Sequence, residues 1–305
     1  MSLLDGKVAI VTGAGRGLGR SHALALAAEG ASVIVNDPGI ARDGSADAGA
    51  RPAQEVADEI IAAGGQAAAN FDSCADWKAA EALVQQAVNT FGSLDILVNN
   101  AGILRDKMSF NVEEDDWDSV IEVHLKGHFA PSVHAARYWR ARSKAGETVY
   151  GRIINTTSES GLYGNIGQVN YAAAKAGIAA MSLVMARELE RIGVTVNAIG
   201  PRARTRMTED LNRYIERDQG AFDDRAPENV SPVVVWLASP EAADITGHVF
   251  VVRGGTVGIA HGWEPGPTIE ADNRAWTADE LITEGRKLFT HVGPGLPPNH
   301  LALTD

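Results

Sequence analysis

The sequence predicts a single α/β domain in which a largely parallel, doubly wound sheet is covered by helices on both faces. Through the first hundred residues, short β-branched runs alternate with alanine-rich stretches that are typical of helices. The runs are apolar at nearly every position, as expected of parallel strands that are buried on both faces. A glycine cluster joins the first run to the first helical stretch, which is where this fold class places its tightest turn.

Local signals define the individual elements. A strand is predicted over residues 7–11 and a helix over residues 20–29, where Gly30 provides the stop. Further strands are predicted over residues 31–36, 94–98 and 152–155. Because these apolar runs end in polar residues, we expect polar side chains at the carboxyl ends of the strands.

Three segments interrupt this alternation. Residues 38–52 are rich in Gly, Asp and Ala and are predicted to form a loop after the second strand. Residues 202–229 are charged and irregular, at a position where a lid over a site could lie. The main domain is placed at residues 1–255. Residues 256–305 are expected to form a C-terminal extension that packs on the body or on a neighbouring subunit.

The composition limits the possible function classes. Among 305 residues, 39 are acidic and 27 are basic, and this net charge of −12 argues against a nucleic-acid partner. The single cysteine, Cys74, cannot form an internal disulfide and indicates a reducing compartment. No signal peptide is expected, and the longest uncharged apolar stretch, residues 176–186, is too short to span a bilayer. We therefore expect a cytoplasmic protein that binds neither a membrane nor a metal.

The glycine cluster reads TGAGRGLG from Thr12 to Gly19. Glycines between a strand and a helix let backbone N–H groups approach a pyrophosphate, and the helix N-terminus adds positive charge. The predicted cofactor contacts in this loop are Gly13, Arg16, Gly17, Leu18 and Gly19. The alternative is a glycine-rich turn that only joins the strand to the helix.

Asp37 closes the second predicted strand, about 20 residues beyond the glycine loop. A carboxylate here can accept both ribose hydroxyls of the adenosine half and would repel a 2′-phosphate, which favours NAD over NADP. Arg16 argues the other way, because a guanidinium could pair with that phosphate. Asp37 could also be a solvated carboxylate at a strand end. We predict NAD, with Asp37 as the selecting residue.

Further cofactor contacts are predicted where two other strands end. Asp72 and Ser73 could surround the adenine. Asn99, Ala101 and Gly102 lie in the sequence NNAG, where small residues let the backbone approach a flat ring. Ordinary turn chemistry explains either group equally well.

The candidate catalytic groups are Tyr171 and Lys175, four residues apart in the helical sequence YAAAKAG. At this spacing both side chains emerge on one face of a helix. A free tyrosine has a pKa of about 10, and a lysine cation within about 4–6 Å lowers that pKa towards working pH. Lys175 could also hold the nicotinamide ribose. Ser158, 13 residues before Tyr171, could bind the substrate oxygen and stabilise charge on it.

In combination, TGxxxGxG, NNAG, YxxxK and a serine 13 residues before the tyrosine resemble the short-chain dehydrogenases/reductases. The match runs from about residue 3 to residue 255. The resemblance implies a seven-stranded Rossmann fold, usually tetrameric, and a nicotinamide-dependent oxidoreductase that acts on CH–OH groups. It also implies Ser158, Tyr171 and Lys175 as the catalytic trio.

Two positions depart from the family pattern. His124 stands where the family has an asparagine that supports a water between the lysine and solvent. An imidazole could take over that role, or His124 could be structural. Arg202 follows Pro201 where the family usually has Pro-Gly, and Pro201 and Thr205 are expected to contact the cofactor.

The loop inserted after Asp37 and the histidine at position 124 are similar to one subgroup of the family. This subgroup includes the dehydrogenase unit of a peroxisomal multifunctional enzyme, and the similarity implies a 3-hydroxyacyl-CoA or a hydroxysteroid as substrate. The predicted substrate contacts are Ser160, Leu162, Tyr163, Gln168 and Met207, in a pocket that Ile103, Leu104 and Met108 also line. Arg202, Arg204 and Arg206 could pair with coenzyme A phosphates, or with carboxylates such as Glu209 and Asp210.

Two other functions compete with this interpretation. A non-catalytic dinucleotide sensor or scaffold would normally lack Tyr171 or Lys175, and both are present. An epimerase or dehydratase that uses the same trio usually has a much larger C-terminal substrate domain than the segment after Gly255 provides.

Overall fold

The computed structural model describes residues 2–41, 43–45, 51–204 and 222–289. Within this part, one sheet contains β1 (Val8–Thr12), β2 (Ser32–Asn36), β3 (Gln66–Asn70), β4 (Ile96–Asn99), β5 (Gly151–Thr156), β6 (Val194–Arg202), β7 (Val249–Arg253) and β8 (Thr256–Ala260). The helices are α1 (Gly17–Ala28), α2 (Pro52–Ala62), α3 (Trp77–Phe91), α4 (Glu114–Ile121), α5 (Gly127–Lys144), α6 (Glu159–Tyr163), α7 (Val169–Leu189), α8 (Ser231–Ala238) and α9 (Ala278–Glu284).

The strand order is β3-β2-β1-β4-β5-β6-β7-β8, and every neighbouring pair except the last is parallel. The chain moves outward from β1 to β3 and then returns to place β4 on the other side of β1. At such a reversal the helices after β1 and β4 lie on opposite faces, which leaves a crevice at the carboxyl ends of the strands. The predicted doubly wound fold is therefore confirmed.

The sheet has one strand more than the seven that the resemblance implies. After β7 the chain turns through Gly254 and Gly255, and β8 pairs antiparallel with β7. Gly254 has a φ of +50°, which suits a tight hairpin turn. The first compact unit consequently ends at Ala260, whereas the predicted boundary after Gly255 falls inside this hairpin.

Two cores bury the sheet on its two faces. Along β1, Ala9 and Val11 belong to the core under α1, α2 and α8, whereas Val8 and Ile10 belong to the core under α3, α5 and α7. This alternation is the period of two of a strand. Because each face meets its own layer of helices, the strand is apolar at every position.

Helix α7 carries two of the candidate catalytic residues and is strongly apolar. Residues Val169–Ile192 are long and apolar enough, on length and composition, to cross a membrane. In the fold, 44% of the most apolar part is buried. Met185, Ala186 and Leu189 on its buried face belong to the second core. The composition of α7 therefore follows from its place against the sheet.

Residues 261–305 form a second compact unit. In its described part, Thr277 begins α9 with a capping box, since Thr277 Oγ1 accepts from Glu280 N at 3.3 Å and the Glu280 carboxylate accepts from Thr277 N at 2.9 Å. Arg274 pairs with Glu280 at 2.6 Å and, with the Thr277 hydrogen bonds, lowers the pKa of that carboxyl to about 2. Local contacts thus stabilise this short helix.

Candidate active site

The carboxyl end of β5 and the first turns of α7 bring three candidate catalytic residues together. Ser158 is the N-cap residue of α6, and its Oγ accepts a hydrogen bond from Ser160 N at 3.2 Å. The Ser158 side chain also lies close enough to the Tyr171 hydroxyl to lower its pKa. Lys175 Nζ lies 5.6 Å from the centre of the Tyr171 ring. Two hydroxyls and an amine therefore converge, as acid–base chemistry on a substrate oxygen requires.

Lys175 is buried, with 2% of its surface exposed. Its Nζ donates to the backbone oxygen of Thr156 at 2.6 Å, and Thr157 Oγ1 donates to the backbone oxygen of Lys175 at 2.7 Å. These two bonds fix α7 against the end of β5. Burial disfavours the ammonium form and lowers the pKa of Lys175 to about 7. The lysine can therefore gain or lose its charge near neutral pH.

The pKa of Tyr171 differs from the sequence-based expectation. The pKa of Tyr171 is raised to about 12, mainly by burial; Ser158 lowers this pKa and the charge of Asp106 raises it, both by less than burial does. The expectation considered the charge of Lys175 alone. In the folded protein the loss of hydration dominates, because burial disfavours the charged forms of both Tyr171 and Lys175.

His124 lies under the site in a π-helical turn, Glu122–Lys126, between α4 and α5. Single π-helical turns within helices are frequently found at functional sites. The His124 ring meets the Tyr171 ring edge to face at 5.1 Å. Its Nε2 either donates to Ile103 O at 2.7 Å or accepts from Ile103 N at 3.1 Å, according to the tautomer.

The imidazole of His124 is neutral at physiological pH. Complete burial lowers its pKa to about 3, and the neighbouring Lys175 acts in the same direction. Among the residues that the structure describes, Nδ1 has no hydrogen-bond partner. This nitrogen is therefore available to bond a water, which is the role that the resemblance assigns to an asparagine at this position.

Gly102 is constrained by this histidine, which gives a first testable prediction. A Cβ added at Gly102 would lie 3.1 Å from Nδ1 and 3.2 Å from Nε2 of His124, and closer still to Cε1. Because the ring is fully buried and bonded to Ile103, it has little room to move. We expect Gly102→Ala to lower the free energy of unfolding by about 1–3 kcal/mol, measured by urea denaturation.

Gly255→Ala is the matched control, because a Cβ at that position meets nothing within 4 Å. Adding His124→Ala to Gly102→Ala should cost less than the sum of the two single changes, since the second change removes the clash. Equal unfolding free energies for Gly102→Ala and Gly255→Ala would contradict this account.

The glycine loop after β1 packs closely against the end of β4. Gly13 and Gly17 have positive φ values, +62° and +52°, which favour glycine. A Cβ at Gly19 would lie 2.5 Å from Asn100 Nδ2 and closer to Gly13 O. Asn100 Nδ2 donates to the backbone oxygens of Thr12 at 3.0 Å and Gly13 at 3.2 Å. The loop is thus held in a compact form from the neighbouring strand.

The start of α1 can receive an anion. Arg16 is its N-cap residue, makes no side-chain cap, and no acidic residue lies in the first turn. The backbone N–H groups of this turn are suited to a pyrophosphate. Asp37 lies beside them, because its carboxylate accepts from Gly15 N at 2.9 Å and from Gly39 N at 2.8 Å. These residues fit a dinucleotide.

The remaining candidate cofactor contacts lie in different surroundings. Asp72 and Ser73 are exposed beyond the end of β3, and Ala101 and Gly102 follow β4. Pro201 is within β6, and Leu18 packs against the first core. Asn99 is fully buried and its amide donates to Ser132 Oγ and Asn155 Oδ1, both at 2.8 Å. It therefore joins β4 to β5 and α5 beneath the site.

The candidate substrate residues also differ in exposure and in hydrogen bonding. Leu162 packs against a small core cluster, and Tyr163 is partly exposed. Ser160 and Gln168 are buried and hydrogen-bonded to each other at 2.8 Å. Of the apolar lining, Ile103 and Leu104 are buried and Met108 is exposed. Arg204 pairs with Asp223. Thr205, Arg206, Met207, Glu209 and Asp210 lie outside the described residues.

Sequence reasoning missed two residues beside Tyr171. Asn170 Nδ2 donates to the backbone oxygens of Arg105 and Asp116, both at 3.1 Å, and Asn170 Oδ1 accepts from Tyr171 N at 2.8 Å. Asp106 acts on Tyr171 through its charge. The sequence does carry a signal for Asn170, which is a polar residue at the start of an apolar helix. Nothing local distinguishes Asp106.

Metal chemistry has no evident site in the described part of the chain. There, no group of three or more His, Cys, Asp and Glu side chains is arranged to hold an ion.

Comparisons with known proteins agree with this geometry. A family model described as short chain dehydrogenase matches residues 7–216. The chain is 45% identical over 298 residues to the hydroxyacyl-CoA dehydrogenase ChsB1 of Mycobacterium tuberculosis, covering 95% of this chain and 91% of that protein. It is 40% identical over 286 residues to the peroxisomal multifunctional enzyme type 2 of Mus musculus, covering 93% of this chain but 37% of that protein.

A solved structure is similar over nearly the whole chain. It is a short chain dehydrogenase from Mycobacterium avium, with 54% sequence identity and a TM-score of 0.86, covering 98% of this chain and 99% of that chain. The sequence motifs, the doubly wound sheet and the convergence of Ser158, Tyr171 and Lys175 point in the same direction. The chain therefore belongs to the short-chain dehydrogenase/reductase family of oxidoreductases.

Proposed function

We propose that this protein oxidises a 3-hydroxyacyl-CoA to the 3-oxoacyl-CoA with NAD. The observation that carries the proposal is the convergence of three groups: the Ser158 side chain acts on the Tyr171 hydroxyl, and Lys175 Nζ lies 5.6 Å from the centre of the tyrosine ring. This arrangement suits removal of a proton from a secondary alcohol. The similarity to a hydroxyacyl-CoA dehydrogenase over 95% of the chain supports the acyl-CoA as substrate.

In the proposed mechanism, the two hydroxyls bind the substrate oxygen. Tyr171 as phenolate accepts the proton of the alcohol, and Ser158 Oγ–H stabilises the charge on the oxygen as the carbonyl forms. Bound NAD would accept a hydride from the carbon that carries the hydroxyl, so the products are the ketone, NADH and one proton. When charged, Lys175 favours the phenolate.

Two parts of the chain would hold the dinucleotide. The first turn of α1 would bind the pyrophosphate, and Asp37 would accept the adenosine ribose hydroxyls, which is our reason for NAD rather than NADP. We also propose a cytoplasmic homo-oligomer. The lone, buried Cys74 supports a reducing compartment.

The test is reduced-nicotinamide absorbance with the purified protein, using NAD or NADP against both enantiomers of a 3-hydroxyacyl-CoA and a hydroxysteroid panel. We expect turnover of the acyl-CoA, faster with NAD than with NADP. Turnover of hydroxysteroids alone would overturn the substrate class. Preference for NADP would overturn the role of Asp37.

A further inference from the structure

Gln168 is the centre of a polar cluster at the start of α7, three residues before Tyr171. Its side chain is buried, with 7% exposed. Nε2 donates to Asp106 Oδ2 at 2.7 Å, and Oε1 accepts from Ser160 Oγ at 2.8 Å and from Asn165 Nδ2 at 2.9 Å. Because a carboxylate only accepts hydrogen bonds, it fixes which end of the amide faces each partner.

The cluster joins three separate segments of the chain. Asp106 belongs to the loop after β4, Ser160 belongs to α6, and Gln168 begins α7. The loop is fastened to α7 at two more points: Lys107 forms a β-bridge with Gln168, and Asn170 donates to the backbone oxygen of Arg105 at 3.1 Å. The three segments are therefore joined to one another at several points.

A short path connects the cluster to the reacting hydroxyls. Ser160 N donates to Ser158 Oγ at 3.2 Å, so the residue that donates to Gln168 also orients Ser158. Gln168 lies one helical turn before Tyr171 on the same helix. The distance between Ser158 and Tyr171 thus depends on where Gln168 holds α6 against α7.

We propose that Asp106, Gln168 and Ser160 form a junction that positions Ser158 against Tyr171, with Asp106 as the residue that orients the Gln168 amide. This inference deepens the proposed function and rests on it for its kinetic readout. It gives Ser160 and Gln168 a role that differs from the predicted contact with substrate, since both side chains are engaged inside the protein. A misplacement of about 1 Å at such a site lowers the rate by up to about 100-fold.

The test is a pair of substitutions that exchange the charge. Gln168→Glu places a second carboxylate opposite Asp106, and the two repel each other. We expect kcat for the 3-hydroxyacyl-CoA to fall by about tenfold or more, with KM for NAD unchanged. Asp106→Asn alone keeps an acceptor for Gln168 Nε2, so the Gln168 amide keeps its orientation and kcat should fall less than in Gln168→Glu.

The double variant Asp106→Asn with Gln168→Glu separates this role from a general effect on folding. The new amide can donate to the new carboxylate, whose other oxygen still accepts from Ser160 and Asn165. We therefore expect most of the lost kcat to return. A double variant as slow as Gln168→Glu, or a Gln168→Glu variant as fast as the wild type, would overturn the proposal.

A second measurement does not depend on turnover. The groups that face the Tyr171 ring or act on its hydroxyl are Ser158, His124, Lys175 and Asp106. In the cofactor-free protein, Gln168→Glu should raise the pH at which Tyr171 ionises, because Ser158, which lowers the pKa of that hydroxyl, is held less closely against it. Tyrosinate absorbance measures this ionisation, with Tyr171→Phe as the blank, and the double variant, which carries the same charge as the wild type, should titrate as the wild type does. A double variant that titrates like Gln168→Glu would overturn the proposal even if the acyl-CoA proves not to be the substrate.

Discussion

Tyr171→Phe should reduce kcat by about 10²–10⁴-fold while NAD binding and the fold are retained. The substitution removes only the hydroxyl, whose pKa the neighbouring Ser158 lowers. The ring keeps its edge-to-face contact with His124 at 5.1 Å. The measurement is steady-state turnover of the 3-hydroxyacyl-CoA, with NAD affinity followed by calorimetric titration. Because Ser158 remains, part of the substrate binding should persist.

The pH dependence of oxidation adds a second readout for Tyr171. Burial holds the pKa of this hydroxyl near 12, so the fraction of phenolate rises with pH through the neutral and alkaline range. Wild-type oxidation should therefore accelerate as pH rises, and Tyr171→Phe should lose that dependence. Tyr138→Phe on α5 is the matched control and should behave as the wild type. An active Tyr171→Phe enzyme would remove Tyr171 from the chemistry.

The fold and family could be predicted from the sequence because both depend on local signals. Strands buried on both faces are apolar throughout, as β1 is, with Ala9 and Val11 in one core and Val8 and Ile10 in the other. The glycines of the motif are equally visible in the sequence. Gly19, for example, packs against the backbone of Gly13 and has no room for a Cβ, so no other residue fits there.

The unpredicted features depend on contacts between distant segments. Gln168 and Ser160 are polar residues near a loop, and the sequence alone predicts a substrate contact for them without indicating their bonds to each other. Their partner Asp106 lies 62 positions away from Gln168. The pKa of Tyr171 was misjudged for a related reason, because burial is a property of the packed protein. The eighth strand was not predicted because it is only five residues long and mostly exposed, so it lacks the continuous apolar run that marks the buried strands.

Lys175→Met should abolish most activity and at the same time stabilise the protein below about pH 7. The ammonium is buried, with Thr156 O accepting its hydrogen bond at 2.6 Å, so folding must remove a charge from water. Loss of the lysine removes electrostatic support for the phenolate, and we expect kcat to fall by about 10²–10⁴-fold. An isosteric apolar side chain avoids the desolvation cost, so the Tm of the variant should be several degrees higher at pH 6.

The same substitution should change how stability varies with pH. Between pH 7 and the ordinary lysine pKa of 10.5, unfolded Lys175 keeps a proton that the folded protein has released. The contribution of this group to the unfolding free energy of the wild type therefore rises with pH across that window, and the variant should lack the rise. Cys74 and Tyr171, whose pKa values burial raises, act in the opposite direction at higher pH, so the comparison is sharpest between pH 7 and 9. Urea denaturation of the wild type, Lys175→Met and a surface control, Lys78→Met on α3, provides the measurement. If Lys175→Met followed the wild-type pH dependence, Lys175 would be charged throughout, and the phenolate would have a permanent cation beside it.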